Sequence, residues 1–411
     1  MNSPRCRFCQ TPLRYSFVNL GVSPLANSYI KKEQLQQMEP FYPLHAYVCE
    51  ACFLVQLPEM KSSEHIFSDY AYFSSYSQSW LDHAREYTEL MIDRFRLDSS
   101  TQVIEIASND GYLLQYFKAK EIPVLGVEPA RNVAKVAQDA GISTIVKFFG
   151  VQTAMELASE SKTADLMLGN NVLAHVPDLN DFVKGFKILL KPQGIITMEF
   201  PHLMRLIEEN QFDTIYHEHY SYFSFHTART VFAEHGFTIF DVEEIDTHGG
   251  SLRIYACHTG DTSKPVHDRV SDLLETEQAA GMKTLKFYRT FSKNVKETKR
   301  AILEFMIDAK KEGKTLVGYG APAKANTLLN YCGIGTDFIE YTVDRSPHKQ
   351  GHFLPGSHIP IYHPDKITET RPDCVIILPW NLKEEIMEQM SHIRRWGGQF
   401  VVLIPHVRLC P

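Results

Sequence analysis

Three features that place many chains in a broad class are missing from this sequence. No run of about 18 or more apolar residues occurs, so we expect no membrane-spanning segment. The first residues, MNSPRCRFCQ, contain no apolar core, so they do not predict a secretory signal. The formal net charge is −7 and Lys and Arg form no cluster, whereas a general nucleic-acid binder carries a basic surface. We expect a cytoplasmic protein that binds neither membranes nor nucleic acid.

Internal repeats, low-complexity segments and long linkers are absent as well. Eight cysteines in a 411-residue chain without a predicted signal favour reduced thiols over disulfides. This length suggests about two to three domains. Changes in the pattern of turn-forming residues divide the chain into 1–69, 70–260 and 261–411. The oligomeric state does not follow from the sequence, and a monomer is the simpler expectation.

The first segment contains two Cys-x-x-Cys pairs, Cys6 with Cys9 and Cys49 with Cys52. Four thiolates form the tetrahedral ligand set that Zn²⁺ prefers, and a zinc ion with every position filled by protein is structural rather than catalytic. The stretch AYVCEACFLVQL has the β-forming residues of a zinc-ribbon hairpin. The alternative is four unrelated cysteines in a hydrophobic core.

The second segment begins an α/β pattern with TQVIEIASNDGYLLQYF. Residues 103–107 predict a buried parallel strand, 108–111 a tight turn, and the following residues a helix. The next strand, VLGVEPA, ends at Glu128. A strand, a turn and an acid at the next strand end form a mononucleotide-binding half. Only Gly111 of a G-x-G-x-x-G fingerprint is present, which favours S-adenosylmethionine over NAD.

The predicted cofactor site lies where these strands end. The pattern continues to a final hairpin containing SLRIYACH, which predicts the seven-stranded sheet of a class I methyltransferase. Ligands of such sheets bind beyond the carboxyl ends of the strands. We place Asp110 on the amino-acid part of S-adenosylmethionine and Glu128 on its ribose; an α/β core without a ligand is the alternative. The predicted cofactor-binding residues are Tyr72, Phe73, Ser74, Glu105, Ser108, Asn109, Asp110, Gly111, Glu128, Pro129, Asn170, Asn171 and His175.

The third segment restarts the α/β pattern with KTLVGYGAPAKANTLLNY, so we predict a second Rossmann-like domain. Its glycines allow close backbone approach, its helix N-terminus favours an anion, and its lysines add charge. A nicotinamide site is the alternative, although Ala323 replaces the third glycine of the fingerprint. The predicted substrate-binding residues are Tyr70, Tyr76, Glu199, His202, His248, Gly249, Gly318, Gly320, Lys324, Asn326, Asp344, Lys349, Trp380 and Asn381.

The stretch YHEHYSYFS, residues 216–224, concentrates imidazoles, a carboxylate and phenols. It is not the zinc-protease motif H-E-x-x-H, because the position of the second histidine is Ser221. It follows the predicted fifth strand, so it belongs to the same rim as the cofactor residues. The alternative is an aromatic-rich loop with structural histidines.

Motifs along the whole chain resemble those of the sugar C-methyltransferases, specifically the NDP-hexose 3-C-methyltransferases that make branched deoxysugars. They include CRFCQ with CEAC, VIEIASNDGYLL, YHEHYSYFS, GYGAPAKANTLLN and VDRSPHKQGHFLPG. The resemblance implies a zinc-binding N-terminal domain, a central methyltransferase domain and a C-terminal domain that holds the nucleotide. It implies a dTDP- or GDP-linked 4-keto-deoxyhexose as substrate without choosing between them. It also implies catalytic roles for Tyr216, Glu218 and His219.

This chemistry gives the tyrosine–histidine stretch a function. Methylation of carbon needs a carbanion equivalent, and a ketone at C4 makes the C3 proton removable. We assign His219 as the base, Tyr216 and Tyr222 as donors to the enolate oxygen, and Glu218 as an orienting group. Two alternatives are O- or N-methylation of a nucleotide sugar, and a zinc-ribbon binding module with an inactive methyltransferase domain.

Overall fold

The computed structural model describes residues 4–62 and 73–410. Within them the chain forms one four-stranded, one seven-stranded and one six-stranded sheet. The four-stranded sheet begins with three antiparallel strands: β1 (Tyr15–Ser23), β2 (Tyr42–Val48) and β3 (Val55–Gln56). No helix of the described residues is both long and apolar enough to cross a membrane.

The central sheet has the topology of a class I methyltransferase, which confirms the predicted fold. The strands of this region are β4 (Val103–Ile106), β5 (Val124–Val127), β6 (Thr144–Ile145), β7 (Ala164–Asn170), β8 (Leu190–Pro201), β9 (Ser221–Tyr222), β10 (Phe237–Ile245) and β11 (Ser251–His258). The sheet order is β10, β11, β8, β7, β4, β5, β6, and β11 is antiparallel to both of its neighbours. Strand β9 instead pairs with β3 and completes the N-terminal sheet.

Helices on both faces bury this sheet, which explains the continuous apolar runs of its strands. They are α1 (Gln78–Phe95), α2 (Leu114–Lys118), α3 (Arg131–Asp139), α4 (Val151–Ser159), α5 (Leu179–Leu189), α6 (Leu203–Glu208) and α7 (Phe225–Glu234). In α1 the Ser77 side chain caps the first turn, and Trp80, Ala84, Tyr87 and Met91 form its buried stripe. This stripe turns the aromatic side chains of α1 toward the sheet.

The C-terminal region is a second doubly wound α/β unit. Helices α8 (Asp268–Ala280), α9 (Leu285–Arg289) and α10 (Phe291–Lys311) lead into it. Its elements are β12 (Leu316–Tyr319), α11 (Ala323–Cys332), β13 (Thr342–Val343), β14 (Ile361–Tyr362), α12 (Asp365–Thr370), β15 (Cys374–Ile377), α13 (Lys383–Gln389), β16 (Gln399–Val402) and β17 (Arg408–Cys410). The strand order is β14, β13, β12, β15, β16, β17, and only the last pair is antiparallel.

Short 3₁₀ helices connect these elements at Lys32–Gln34, Ser74–Tyr76, Leu173–His175, Phe212–Thr214, Thr247–Gly249, Trp380–Leu382 and Ser391–Trp396. One hydrophobic cluster joins the N-terminal sheet to the C-terminal region, where Phe17 stacks on Phe291 with ring centroids 4.6 Å apart. Helix α8 packs on the central sheet through Val270 and Leu273. The three regions therefore share packing, and the domain bounds drawn from the sequence stay a prediction.

Candidate active site

A cavity of about 1060 Å³ lies between the carboxyl ends of the parallel strands of the central and C-terminal sheets. All three regions contribute to its wall, for example through Asn27, Glu128 and Lys324. Ligand sites of open α/β sheets lie at this end of the strands. The cavity is at the upper end of the usual size of ligand pockets, so it has room for more than one small ligand.

The turn after β4 is left-handed at every second residue. Ala107, Asn109 and Gly111 have φ of 58°, 49° and 80°. Glycine adopts such angles freely and asparagine tolerates them, whereas alanine is strained there. The turn therefore has the backbone of a G-x-G-x-G loop although only one of the three residues is glycine, which a search for glycines does not detect.

Side chains of this turn fasten the segment that precedes α1. Asn109 Oδ1 accepts from the Ser74 amide at 3.0 Å, and Asp110 Oδ2 accepts from the Ser75 amide at 3.1 Å and its hydroxyl at 2.6 Å. Phe73 and Ser74 consequently line the cavity, whereas Asp110 does not. The predicted residues Tyr70 and Tyr72 lie outside the described residues.

Glu128 is the buried acid at the end of β5. Its Oε2 accepts from the Asn109 amide at 2.9 Å, and its Oε1 accepts from the Ala130 amide at 2.8 Å. Burial raises the pKa of this carboxyl to about 7, although the two amides oppose the shift. Each oxygen keeps a further lone pair, so the carboxylate can accept from the hydroxyls of a ribose in the cavity.

Two asparagines follow β7 at the cavity wall. Asn170 is 8% exposed, and neither atom of its side-chain amide has a hydrogen-bond partner among the described residues. A buried amide without a partner is costly, so it points to a polar ligand. Asn171 has a φ of 56°, and its amide nitrogen lies 3.2 Å from His248 Nε2.

Tyr216 and His219 form a hydrogen-bonded pair at the cavity wall. The Tyr216 hydroxyl lies 2.8 Å from His219 Nε2, and His219 Nδ1 lies 2.8 Å from the Thr214 carbonyl oxygen. Because a carbonyl only accepts, Nδ1 carries the proton and Nε2 is the acceptor. Burial, and then the neighbouring His175, hold the pKa of His219 well below its usual range.

His175 and His248 stand beside this pair. The His175 ring meets the His219 ring edge-on with centroids 4.7 Å apart, and its Nδ1 donates to the Glu218 carbonyl oxygen at 2.8 Å. Burial lowers the pKa of both His175 and His248 to about 4. Three uncharged imidazoles therefore face the cavity at physiological pH.

The other two members of the predicted catalytic set do not line the large cavity. Tyr222 is buried, and its ring centroid lies 6.0 Å from that of His219. Glu218 is 2% exposed, and its Oε2 accepts from Asn27 Nδ2 at 2.6 Å. Burial raises the pKa of the Glu218 carboxyl to about 7 against the hydrogen bonds from Asn27.

Lys324 lies where the central and C-terminal regions meet. Its ammonium donates to Asn381 Oδ1 and lies 4.5 Å from the centre of the Trp380 ring. Burial lowers its pKa to about 8, although Asp213 opposes the shift. Asp213 in turn accepts from the Trp380 indole at 2.7 Å. A cation held in this way is available to an anionic ligand in the cavity.

Asp344 and Lys349 lie near the turn that follows β12. Asp344 accepts from the amides of Ala321 and Ser346, each at 2.8 Å. Lys349 Nζ lies 3.6 Å from this carboxylate and donates to the Ala321 carbonyl oxygen at 3.0 Å. The Asp344 carboxylate thus already has hydrogen-bond donors and a cation within the protein.

Some predicted residues turn away from the cavity. Glu199 binds His83 at 2.8 Å and Arg253 at 2.6 Å. Burial would raise the pKa of Glu199, but these partners outweigh it and hold the pKa below its usual range. His202 pairs with the buried Glu277 at 2.8 Å. Other predicted residues that do not line the cavity are Glu105, Ser108, Gly111, Gly249, Gly318, Asn326 and Trp380.

Seven further predicted residues line the cavity: Tyr76, Asn109, Pro129, Gly320, Asp344, Lys349 and Asn381. Trp380 packs closely against Gly249, where a Cβ would lie 2.4 Å from its ring. Residues that the sequence did not single out also line the cavity: Asn27, Trp80, His83, Arg345 and Ser346. The aromatic stripe of α1 could have indicated Trp80 from the sequence, whereas no sequence pattern indicated Asn27.

The four cysteines of the N-terminal region are positioned for a metal ion, since their sulfurs lie within 4.8 Å of one another. Cys6 to Cys52, Cys9 to Cys49 and Cys9 to Cys52 measure 3.6, 3.5 and 3.7 Å. Tetrahedral zinc with bonds near 2.3 Å separates its sulfurs by about 3.8 Å. The cluster fits zinc, and Gln56 Nε2 also donates to Cys6 Sγ at 3.2 Å.

Comparison with known proteins decides the family. A "Methyltransferase domain" model matches residues 80–242, a "C-methyltransferase C-terminal domain" model matches 246–405, and a zinc binding domain model matches 6–67. C-methyltransferase NovU of Streptomyces niveus is 35% identical over 404 residues, 98% of this chain and 96% of that protein. The chain belongs to the C-methyltransferase family. It is an S-adenosylmethionine-dependent enzyme with a zinc-binding region, as expected.

Two other similar proteins cover smaller parts of this methyltransferase. A ubiquinone biosynthesis O-methyltransferase of Bartonella tribocorum is 29% identical over 96 residues, 23% of this chain and 39% of that protein. A solved protein of Pyrococcus horikoshii OT3 is 17% identical with a TM-score of 0.38, over 48% of this chain and 99% of that one. With so low a TM-score, no argument rests on that structure.

Proposed function

We propose that this enzyme transfers a methyl group from S-adenosylmethionine to C3 of a nucleotide-linked 4-keto-deoxyhexose. The observation that carries this proposal is the Tyr216–His219 pair, in which the accepting Nε2 and a phenol share one cavity wall. The carboxylate of Glu128, from the central region, and the cation of Lys324, from the C-terminal region, line the same cavity. This arrangement suits a nucleoside cofactor, a nucleotide sugar and a proton acceptor between them.

His219 acts as the base. The Thr214 carbonyl fixes its tautomer, so Nε2 has the lone pair that accepts the C3 proton. Its lowered pKa keeps it uncharged at physiological pH. When the sugar binds, the Tyr216 hydroxyl leaves Nε2 and donates to the O4 enolate, so one displacement frees the base and supplies the oxyanion donor.

Methyl transfer then proceeds through an enolate. The C3–H electrons become the C3–C4 double bond of the enolate, and O4 takes the negative charge. The C4 ketone reforms as C3 takes the methyl group. S-adenosylmethionine would supply that group when bound, with its sulfur–methyl bond breaking and S-adenosylhomocysteine as the product. His219 returns its proton to solvent.

Deuterium exchange at C3 without S-adenosylmethionine tests the proposal. We expect the parent enzyme in D₂O to exchange the C3 proton of a dTDP- or a GDP-linked 4-keto-deoxyhexose, each tested separately. His219→Asn should exchange about 10²–10⁴-fold more slowly while it still binds cofactor and nucleotide. His267→Asn is the matched control, because His267 is exposed.

Two results would overturn the proposal. If His219→Asn exchanged the proton as fast as the parent, His219 would not be the base. If the parent methylated a sugar oxygen or nitrogen and exchanged no C3 proton, the enzyme would be an O- or N-methyltransferase. Methyl transfer to a 4-keto sugar with the NMR signal of a new C3 methyl group is the result that we expect.

A further inference from the structure

A loop of the zinc-binding region enters the active-site cavity. It follows β1, and its residue Asn27 lines the cavity wall. The side-chain amide of Asn27 donates to Glu218 Oε2 at 2.6 Å, across a sequence separation of 191 residues. Glu218 adjoins the proposed base His219 in the chain. The N-terminal region therefore touches the YHEHYSYFS stretch directly.

The loop is held in place by the C-terminal region. Asn326 Nδ2 donates to the Ala26 carbonyl oxygen, and the Tyr29 hydroxyl donates to the Ala321 carbonyl oxygen at 2.6 Å. Ile30 pairs with Phe353 through two backbone hydrogen bonds of 3.0 and 2.8 Å. Contacts on both sides of Asn27 thus fix its position, so its amide is presented to Glu218 at little entropic cost.

Glu218 depends on this amide. The carboxyl is 2% exposed, and its Oε2 accepts a hydrogen bond from the Asn27 side chain. Burial raises its pKa to about 7, and hydrogen bonds from the Asn27 side chain and backbone oppose the rise. The titratable groups of the described residues that sense its charge are Tyr29 on the same loop and Tyr220. Asn27 thus supplies hydrogen bonds that favour the ionised form of Glu218.

We propose that Asn27 is a positioning residue of the sugar site, which holds the Glu218 carboxylate and so fixes the peptide that carries His219. The zinc-binding region then supplies part of the active site as well as structural support. The Glu218 carbonyl oxygen accepts from His175, so the same peptide also orients a second imidazole. This inference rests on the proposed function for its kinetic consequence, and the contact itself is independent of that function.

The first test measures Glu218 without using activity. We would label the enzyme with ¹³C at glutamate carboxyls and find the Glu218 signal by its loss in Glu218→Gln. Asn27→Ala should raise the pKa of Glu218, because a donor to the charged form is removed. Asn19→Ala is the matched control, since Asn19 is an exposed asparagine of β1, the strand that precedes the loop. An unchanged Glu218 titration in Asn27→Ala would overturn the inference.

The second test uses C3 exchange and a double-mutant cycle. Asn27→Ala should slow exchange about 10- to 100-fold, as expected for a lost hydrogen bond to a charged group, and shift the pH profile to higher pH. In the Glu218→Gln background the same change should have little further effect. An equal loss in both backgrounds would show a general structural effect and overturn the inference. If the parent enzyme itself showed no exchange, the proposed function would fail, while the titration would still decide the contact.

Asn27→Ser keeps the test valid if alanine disturbs the fold. Serine retains a donor but is too short to span the same distance, so its Glu218 pKa and exchange rate should resemble those of Asn27→Ala. Zinc content and cofactor binding should stay at parent levels in each Asn27 variant. Parent-like exchange and titration in Asn27→Ser would contradict the role of the amide.

Discussion

Two strand–turn–helix units open onto the same cavity. The acid at the end of the following strand has different partners in each unit. In the central unit Glu128 accepts from two backbone amides and lines the cavity. In the C-terminal unit Asp344 also accepts from two amides, but Lys349 lies 3.6 Å from its carboxylate. The first acid is available to ligand hydroxyls, whereas the charge of the second is compensated within the protein.

The backbone conformations of the two turns differ as well. The central turn has positive φ at Ala107, Asn109 and Gly111, which curves the backbone tightly below a ligand. In the C-terminal turn Gly320, with φ of 92°, precedes Pro322 and the first turn of α11. That turn places a helix N-terminus and Lys324 at the cavity. On the proposed function the central turn belongs to a cofactor-type site and the C-terminal turn to an anion-type site, so variants of each should affect a different ligand.

The largest effect should come from the zinc cluster, because the N-terminal region contacts both units. Cys49→Ser should lose most of about one equivalent of zinc and lower the free energy of unfolding by on the order of 4 kcal/mol. Both ligand sites should weaken together, since β3 pairs with β9 and the loop at Asn27 contacts α11.

Metal analysis and thermal unfolding measure this effect. Cys410→Ser is the control, because Cys410 is a buried cysteine in another sheet. Full zinc content and an unchanged melting temperature in Cys49→Ser would contradict a four-thiolate structural site.

The sequence predicts the parts of this site whose residues lie close together in the chain. The cysteine pairs and the Tyr216–His219 pair are spaced by three residues, so the sequence brings each pair together in one turn. The Asn27–Glu218 contact joins residues 191 apart. No periodicity or motif in one chain encodes such a contact, because it depends on how three regions pack.

The direction in which a side chain points is the second property that the sequence does not predict. Glu199 ends a predicted strand at the correct rim, but it lies directly opposite Arg253 on the neighbouring strand. That cross-strand ion pair turns the carboxylate into the wall, and only the sheet register reveals it. The Asp110 carboxylate binds Ser75 through Oδ2, and its role toward the cofactor stays a prediction. The site roles of the remaining residues stay predictions.

The cofactor-type site predicts a selective loss of S-adenosylmethionine binding. Glu128→Ala should weaken binding by about 1.5–3 kcal/mol, the usual value for a hydrogen bond to a charged group. Nucleotide binding should stay at the parent level. Calorimetric titration with S-adenosylmethionine, and with dTDP or GDP, measures both; equal cofactor affinity in the variant and the parent would show that Glu128 does not bind the ribose.

The same site predicts a pH dependence. The pKa of Glu128 is raised to about 7, and ribose hydroxyls bind its ionised form. Protonation therefore competes with binding, and affinity for S-adenosylmethionine should rise as the pH increases through about 7 and level off above it. Glu128→Gln removes this titration, so subtracting its profile corrects for ionisation of the cofactor. Identical pH profiles of variant and parent would contradict the assignment.

The anion-type site predicts the smallest effect. Lys324→Ala should raise the KM for the nucleotide sugar by about tenfold, near 1.4 kcal/mol. This lies at the lower end for a charge-assisted contact, because Asn381 and Trp380 already share the ammonium.

Affinity for S-adenosylmethionine should not change, and Lys293→Ala is the control because the Lys293 side chain is 79% exposed. Steady-state kinetics and titration with dTDP and GDP give the numbers. Tight binding of NADH, with no effect of either nucleotide, would favour a nicotinamide site and remove the contrast between the two units. A parent-like KM in Lys324→Ala would instead leave Lys349 and the start of α11 to bind the diphosphate.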